Sequence, residues 1–343
     1  MSKALTPPLL AAAQRYAAAR AAGSDLAGPV ADFIAATAGQ ASGSIADADG
    51  AIAWAANLWP RHKPLSRFER LVLGHKEDAE LLGRVPGLAV LFLFHRDGFV
   101  RQAALDRLSG PAPNPFLAAA LAWRGNDWVD EVRRSAQAAM ARCLPRTNPD
   151  ILAAFLLETT RARATWRRWS DAERMALEAV AARPSVAKQI VAQLSAQRSG
   201  PLPSWLRTIL RSPWIDQHLA LLAAQAKVPG VRAIAVQTLA DGYVSWADDP
   251  RTRYWIDKPM GIIGWRPTVY RRPLTIEADR AAAIRTGLAD GATAVRKVAL
   301  AAIIQHGSGD ADLALLAETF RNDRSVGIRS KVAFILAQAN PEG

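Results

Sequence analysis

The residues best equipped to hold another molecule are concentrated between Gly242 and Leu274. Three of the four tyrosines (Tyr243, Tyr254, Tyr270) and three of the eleven tryptophans (Trp246, Trp255, Trp265) fall there. Arg251, Arg253, Lys258, Arg266, Arg271 and Arg272 are interleaved with them. Aromatic faces stack on bases or anchor in protein pockets, and guanidinium groups neutralise phosphates and carboxylates. The expected anchors are Trp246, Trp255 and Trp265, with Arg251, Arg253, Arg266, Arg271 and Arg272 as a basic rim and the three tyrosines completing the set. The competing expectation is structural: the aromatic side chains fold back and fill a gap between helices.

Two further clusters mix the same residue types. One is Arg161, Arg163, Trp166, Arg167, Arg168 and Trp169; the other is Trp59, Arg61, His62 and Lys63, followed by Arg67 and Arg70. In the first, a solvated arginine face with packed tryptophans is the plainer expectation.

Catalytic patterns are not found. His62, His75, His95, His218 and His306 include no pair at the i, i+4 spacing of a helical metal site. The single cysteine, Cys143, excludes an internal disulfide and a cysteine-based zinc site. Gly261-Ile262-Ile263-Gly264 lacks the Lys-Ser/Thr of a phosphate-binding loop, and no GxSxG elbow occurs. No catalytic residue, metal site or cofactor site is therefore expected.

The elements that carry these residues read as helices. Ala and Leu are abundant, and apolar residues recur at spacings of three and four. Proline-rich clusters such as 110–115, 145–149 and 199–203 punctuate helices of about 10 to 18 residues. Prolines at 250, 259, 267 and 273 exclude a long helix in the aromatic segment, so an irregular insertion is expected at about 242–274. The N-terminal apolar stretch is broken by Gln14, Arg15 and Arg20, and no apolar run is long enough to span a bilayer. A cytoplasmic protein is expected. The formal charge of +12 favours acidic partners, or reflects an arginine-rich composition alone.

A repeat underlies the helices. Val100-Arg101, Val132-Arg133, Val231-Arg232, Val295-Arg296 and Ile328-Arg329 each precede an apolar residue at three and at seven positions beyond the arginine. These offsets share one helical face. Arg101 and Arg133 are 32 residues apart and Arg296 and Arg329 are 33 apart, a period that suits a pair of helices. Asp97, Asp127, Asp290 and Asp323 stand ahead of the repeated helix.

This Asp, Val-Arg, Ala, Leu pattern resembles the HEAT-repeat superfamily over about residues 87 to 340. The resemblance implies an all-α fold, an α-solenoid of stacked antiparallel helix pairs, with residues 1–86 as a helical N-terminal cap and 87–343 as the repeat array carrying the insertion. It also implies ladders in which the five arginines pair with aspartates of neighbouring repeats. Some HEAT-like proteins are glycosylases that excise alkylated bases with Trp and a catalytic Asp. Trp123 with Asp127, and Trp169 with Asp171, are the nearest counterparts, without a matching Trp-Trp-Asp segment. The leading expectation is a non-catalytic scaffold that binds a macromolecular partner, protein before nucleic acid, through a concave surface and the insertion.

Overall fold

Polar residues open the helices where an N-terminal turn leaves backbone N–H groups without helical acceptors. The Asn114 side chain accepts from the Leu117 N–H, and Pro115 follows at the first helical position. Ser170 and Glu173 form a reciprocal capping box. Asp97, Asn148, Asp279 and Asp310 cap in the same manner.

The computed structural model describes residues 4–59, 76–307 and 310–339. They are predominantly helical, with one two-stranded antiparallel sheet. The chain divides into two compact units, Met1–Ile190 and Val191–Gly343.

The first unit holds α1 (Pro7–Ala21), α2 (Ala27–Ala36), α3 (Ile45–Ala55), α4 (Lys76–Arg84), α5 (Leu88–Phe92) and α6 (Gly98–Arg107). It continues through α7 (Pro115–Trp123), α8 (Asp130–Cys143), α9 (Pro149–Glu158), α10 (Thr160–Arg163) and α11 (Asp171–Ala181). Helix α12 (Pro184–Ala196) crosses into the second unit. Helix α6 packs on α8 and α7 packs on α9. The core is aromatic: Phe94 stacks on Phe116 at 6.2 Å and meets Phe33 edge-on at 6.1 Å. Cys143 is buried, as its apolar setting suggests.

The second unit holds α13 (Leu202–Ile209), α14 (Leu219–Gln225), α15 (Pro229–Asp241), β1 (Tyr243–Asp257), β2 (Ile262–Pro273), α16 (Arg280–Leu288), α17 (Thr293–His306), α18 (Ala311–Glu318) and α19 (Val326–Ala339). Helix α15 packs on α17, and α17 on α19, while α14, α16 and α18 pack on these in turn. At Gly287 a Cβ would stand 2.8 Å from Ala299 Cβ and 2.9 Å from Val236 Cγ1, so glycine lets three helices close together.

The repeated positions play the same part in each copy. Val100, Ala104, Val132, Ala136, Met140, Val231, Ala235, Leu239, Val295, Ala299, Ile303, Ile328 and Val332 are buried, and Leu108 and Leu336 half-buried. Each arginine donates Nη1–H to the carbonyl six residues earlier: Arg101 to His95, Arg133 to Asp127, Arg232 to Ala226, Arg296 to Asp290 and Arg329 to Asp323. Three of them also reach a later aspartate. Arg101 grips Asp127 with two bonds of 2.8 Å, Arg232 grips Asp290 at 2.5 and 2.9 Å, and Arg296 meets Asp323 at 2.9 Å. Each of these aspartates also accepts from the backbone N–H two residues on, at Val129, Ala292 and Ser325. One side chain thus turns the chain into its own helix and ties to it the helix two before it in the chain.

The all-α expectation holds for the helices and requires correction at the insertion, because residues 243–273 form a β-hairpin with two register shifts. The prolines sit where a hairpin tolerates them. Pro250 lies in the register shift between Asp248 and Arg251, Pro259 in the turn, Pro267 beside that shift and Pro273 at the strand's end. Gly242, at φ 76°, ends α15 in the left-handed conformation and starts β1.

Candidate binding surfaces

Directly paired residues share a face of the hairpin. Arg253 pairs with Trp265, Trp255 with Ile263, Ala247 with Val269 and Ser245 with Arg271. Alternation along β2 puts Ile263, Trp265, Pro267, Val269 and Arg271 on one side, and all are exposed. Trp265 is 61% exposed, Val269 58% and Trp255 47%. Met260 in the turn and Ile256 and Ile262 at the strand ends beside it are exposed as well. Cations frame the face: the Arg253 guanidinium lies 5.0 Å from the Trp255 ring and that of Arg271 lies 5.0 Å from the Tyr243 ring.

The opposite face is more self-satisfied. Tyr254 lies over Gly264, where a Cβ would come within 2.6 Å of the ring, and Arg266 stacks on Tyr254 at 5.6 Å. Trp246 stacks on Tyr270 at 5.9 Å, with the Arg211 guanidinium 5.8 Å from the Trp246 ring. Trp246 is therefore partly spent on packing within this unit.

Arg272 is not a rim residue; it roots the hairpin. Its guanidinium donates to the carbonyls of Leu210 and Ser212 and to both carboxylate oxygens of Asp216, at 2.6 to 3.0 Å. Asp216 also accepts from the Thr275 N–H and hydroxyl. Burial pushes the Asp216 carboxyl up, but the bonds from Arg272 and Thr275 outweigh it and hold the group below its usual range. For Arg251 the backbone pairs with Pro267, and its side chain lies outside the described residues. The sequence-expected set thus splits. Trp255, Trp265, Arg253 and Arg271 share one open face; Tyr254, Trp246, Arg266 and Tyr270 lie on the other; Tyr243 carries the Arg271 stack; Arg272 is structural.

A second concavity lies in the first unit, with a volume of about 380 Å³. Three indoles line it: Trp59 from the segment after α3, Trp123 at the end of α7 and Trp128 before α8. Arg124 forms its floor, donating to Asp49 at 2.6 Å and to Asp127 at 3.2 Å. Burial lowers the Arg124 pKa, opposed by the charges of Asp49 and Asp127. Arg96 stacks 5.4 Å from the Trp59 ring and stands 3.7 Å from Asp49. Arg168 is exposed; its backbone N–H donates to Asn126, and its guanidinium has no hydrogen-bond or ion-pair partner among the described residues. The concavity is framed from behind by Trp166, which meets Trp123 edge-on at 5.3 Å and Trp169 at 4.7 Å. Gly125 leaves room for the Trp169 indole nitrogen, 3.2 Å from where a Cβ would stand.

Neither Trp128 nor Arg96 is among the residues expected from the sequence. The sequence signal for Trp128 is a tryptophan on each side of Arg124-Gly125-Asn126-Asp127; Arg96 has none. Of the Trp166 cluster, both tryptophans are buried and Arg163 donates to the Leu156 carbonyl, while Arg161, Arg167 and Arg168 are exposed. Arg61, His62, Lys63, Arg67, Arg70 and His75 lie outside the described residues.

Asp127 has the position of a candidate general base but not the freedom. It accepts from Arg101 Nε and Nη2, from Arg124 Nη1 and from the Val129 N–H, which fills the four acceptor sites of a carboxylate. Among the described residues no group of three or more His, Cys, Asp or Glu is placed to hold a metal ion. None of their helices is long and apolar enough to cross a membrane.

No family model matches the chain, and neither the curated proteins nor the solved structures contain a match.

Proposed function

We propose that the chain is a HEAT-like α-solenoid that serves as a non-catalytic scaffold in a reducing compartment such as the cytoplasm, and that it binds a protein through the exposed hairpin. Support for the repeat reading comes from five arginines that make the same bond to the carbonyl six residues earlier. The observation that carries the binding reading is the open face of Trp255, Ile263, Trp265 and Val269 on a hairpin rooted by Arg272. Isolated apolar residues are common on surfaces, but a contiguous aromatic and aliphatic face flanked by arginines has the composition of an interface centre. A protein is favoured over nucleic acid because the exposed set includes Ile256, Met260, Ile262 and Ile263, which offer nothing to a phosphate, and because Arg272 is already committed.

Cross-linking and capture with the full chain test this, with a Trp255→Ala/Trp265→Ala double variant as comparison. A protein captured by the parent and lost by at least tenfold in the double variant is expected. Equal capture by both chains would overturn the proposal, as would nucleic-acid binding that the double variant abolishes and that weakens steeply with salt, by about 0.9 in log K per phosphate neutralised on duplex DNA for each tenfold rise in salt.

A further inference from the structure

The cavity of the first unit is chemically unlike the hairpin and lies in the other compact unit. Its charges are Arg96, Arg101, Arg124 and Arg168 against Asp49 and Asp127, so it carries two positive charges in excess. The excess is not spread evenly. Arg101 and Arg124 are consumed by the buried pairs to Asp127 and Asp49, and these salt bridges fix the floor. The surplus resides in Arg96, whose side chain is 42% exposed and only loosely paired, and in Arg168, whose guanidinium has no hydrogen-bond or ion-pair partner among the described residues.

Trp59 and Trp128 are 43% and 71% exposed, and with Trp123 they present indole surface to the same space. Leaving large apolar rings in water is unfavourable unless something covers them. Two guanidinium groups on different elements suit an anion with three acceptor oxygens better than a single carboxylate, which one fork satisfies. Indole faces suit a flat ring. A cavity of about 380 Å³ lies in the usual range for a small-molecule site.

We propose that this cavity binds a nucleotide, with the base stacked against Trp59 and Trp128 and the phosphate held by Arg96 and Arg168. The nucleotide is bound without being cleaved, because both carboxylates in the cavity are tied in salt bridges to arginine. It is either a free mononucleotide or one unit of a single strand.

Calorimetric titration of the full chain with adenosine 5′-monophosphate, adenosine, inorganic phosphate and oligodeoxyadenylate tests the proposal, with tryptophan fluorescence as a second readout. Arg168→Ala and Trp128→Ala are the variants, since both side chains are exposed and neither replacement should unfold the protein. Expected is saturable binding of the monophosphate that quenches fluorescence, exceeds that of adenosine or phosphate alone, and weakens at least tenfold in each variant. An oligonucleotide that binds more tightly than the monophosphate and is lost in the same variants identifies a strand as the source; comparable or weaker oligonucleotide binding identifies the free nucleotide. Absence of binding by both nucleotide probes at millimolar concentration would overturn the proposal, and so would affinities unchanged in both variants.

Discussion

Asp127 is where a structural and a chemical role are most easily confused. It lines an aromatic cavity and stands four residues beyond a tryptophan, yet its carboxylate holds two buried arginines, Arg101 and Arg124, in place. Removing it leaves buried Arg101 without a carboxylate and Arg124 with Asp49 alone, and breaking such an arrangement costs about 3 to 5 kcal/mol. Asp127→Ala is therefore expected to lower the free energy of unfolding in urea by about that amount. Asp171→Ala should cost about 0.5 kcal/mol, since Asp171 is exposed in the first turn of α11 and gains only from the helix dipole. Near-equal costs for the two would show that Asp127 is dispensable to the fold and free for other work. This role was partly legible in the sequence. The recurring Val-Arg is legible because its bond to the carbonyl six residues earlier is repeated five times, whereas the ladder to a later aspartate, expected of all five arginines, is formed by Arg101, Arg232 and Arg296 alone among the described residues. The cavity left little beyond the tryptophans on either side of Arg124–Asp127, since Trp59, Arg96 and Arg168 are far apart in the chain and converge only through packing.

The hairpin shows how an element can be misread although its residues are noticed. Its aromatic and arginine content was plain, but register shifts at 248/251 and 255/257 break the alternation that would have announced strands. Prolines that exclude a helix do not exclude strands, because bulges, turns and strand ends accept them. The division of labour between its root and its face was also invisible, because Arg271 and Arg272 are the same residue type on opposite faces. Arg271 is exposed over Tyr243, and Arg272 joins three carbonyl and carboxylate partners below the strand. Arg272→Ala leaves the Asp216 carboxylate, fully buried, without its main partner, and is expected to cost about 3 kcal/mol or more in urea unfolding. Trp265→Ala removes a side chain already largely in water and should change stability by no more than about 0.5 kcal/mol. A large loss for Trp265→Ala would mean that the open face packs against something within the chain, and the docking role would fail.

The whole chain is strongly basic, and its acid sensitivity follows from the ladder. The hydrogen bond from Arg232 holds the Asp290 carboxyl below its ordinary value, and the backbone N–H of Ser325, with Arg296, does the same for Asp323. A carboxyl whose folded pKa lies below its unfolded value, about 3.9, contributes stability that is complete above that value and is lost as pH falls through the folded one. The thermal midpoint should therefore stay level from about pH 7 to pH 5 and drop steeply below about pH 4. Protonating carboxylates also raises a net charge that is already +12, so self-repulsion works in the same direction. Salt separates the two causes: about 1 M sodium chloride shortens the screening length to about 3 Å, which suppresses surface repulsion and affects a half-buried, hydrogen-bonded pair much less. If the ladder dominates, the acid drop persists in salt, and Asp290→Asn lowers the midpoint at pH 7 while flattening the slope below pH 4. If salt removes the drop and Asp290→Asn leaves the slope unchanged, the ladder contributes little to acid unfolding and the surface arginines account for it.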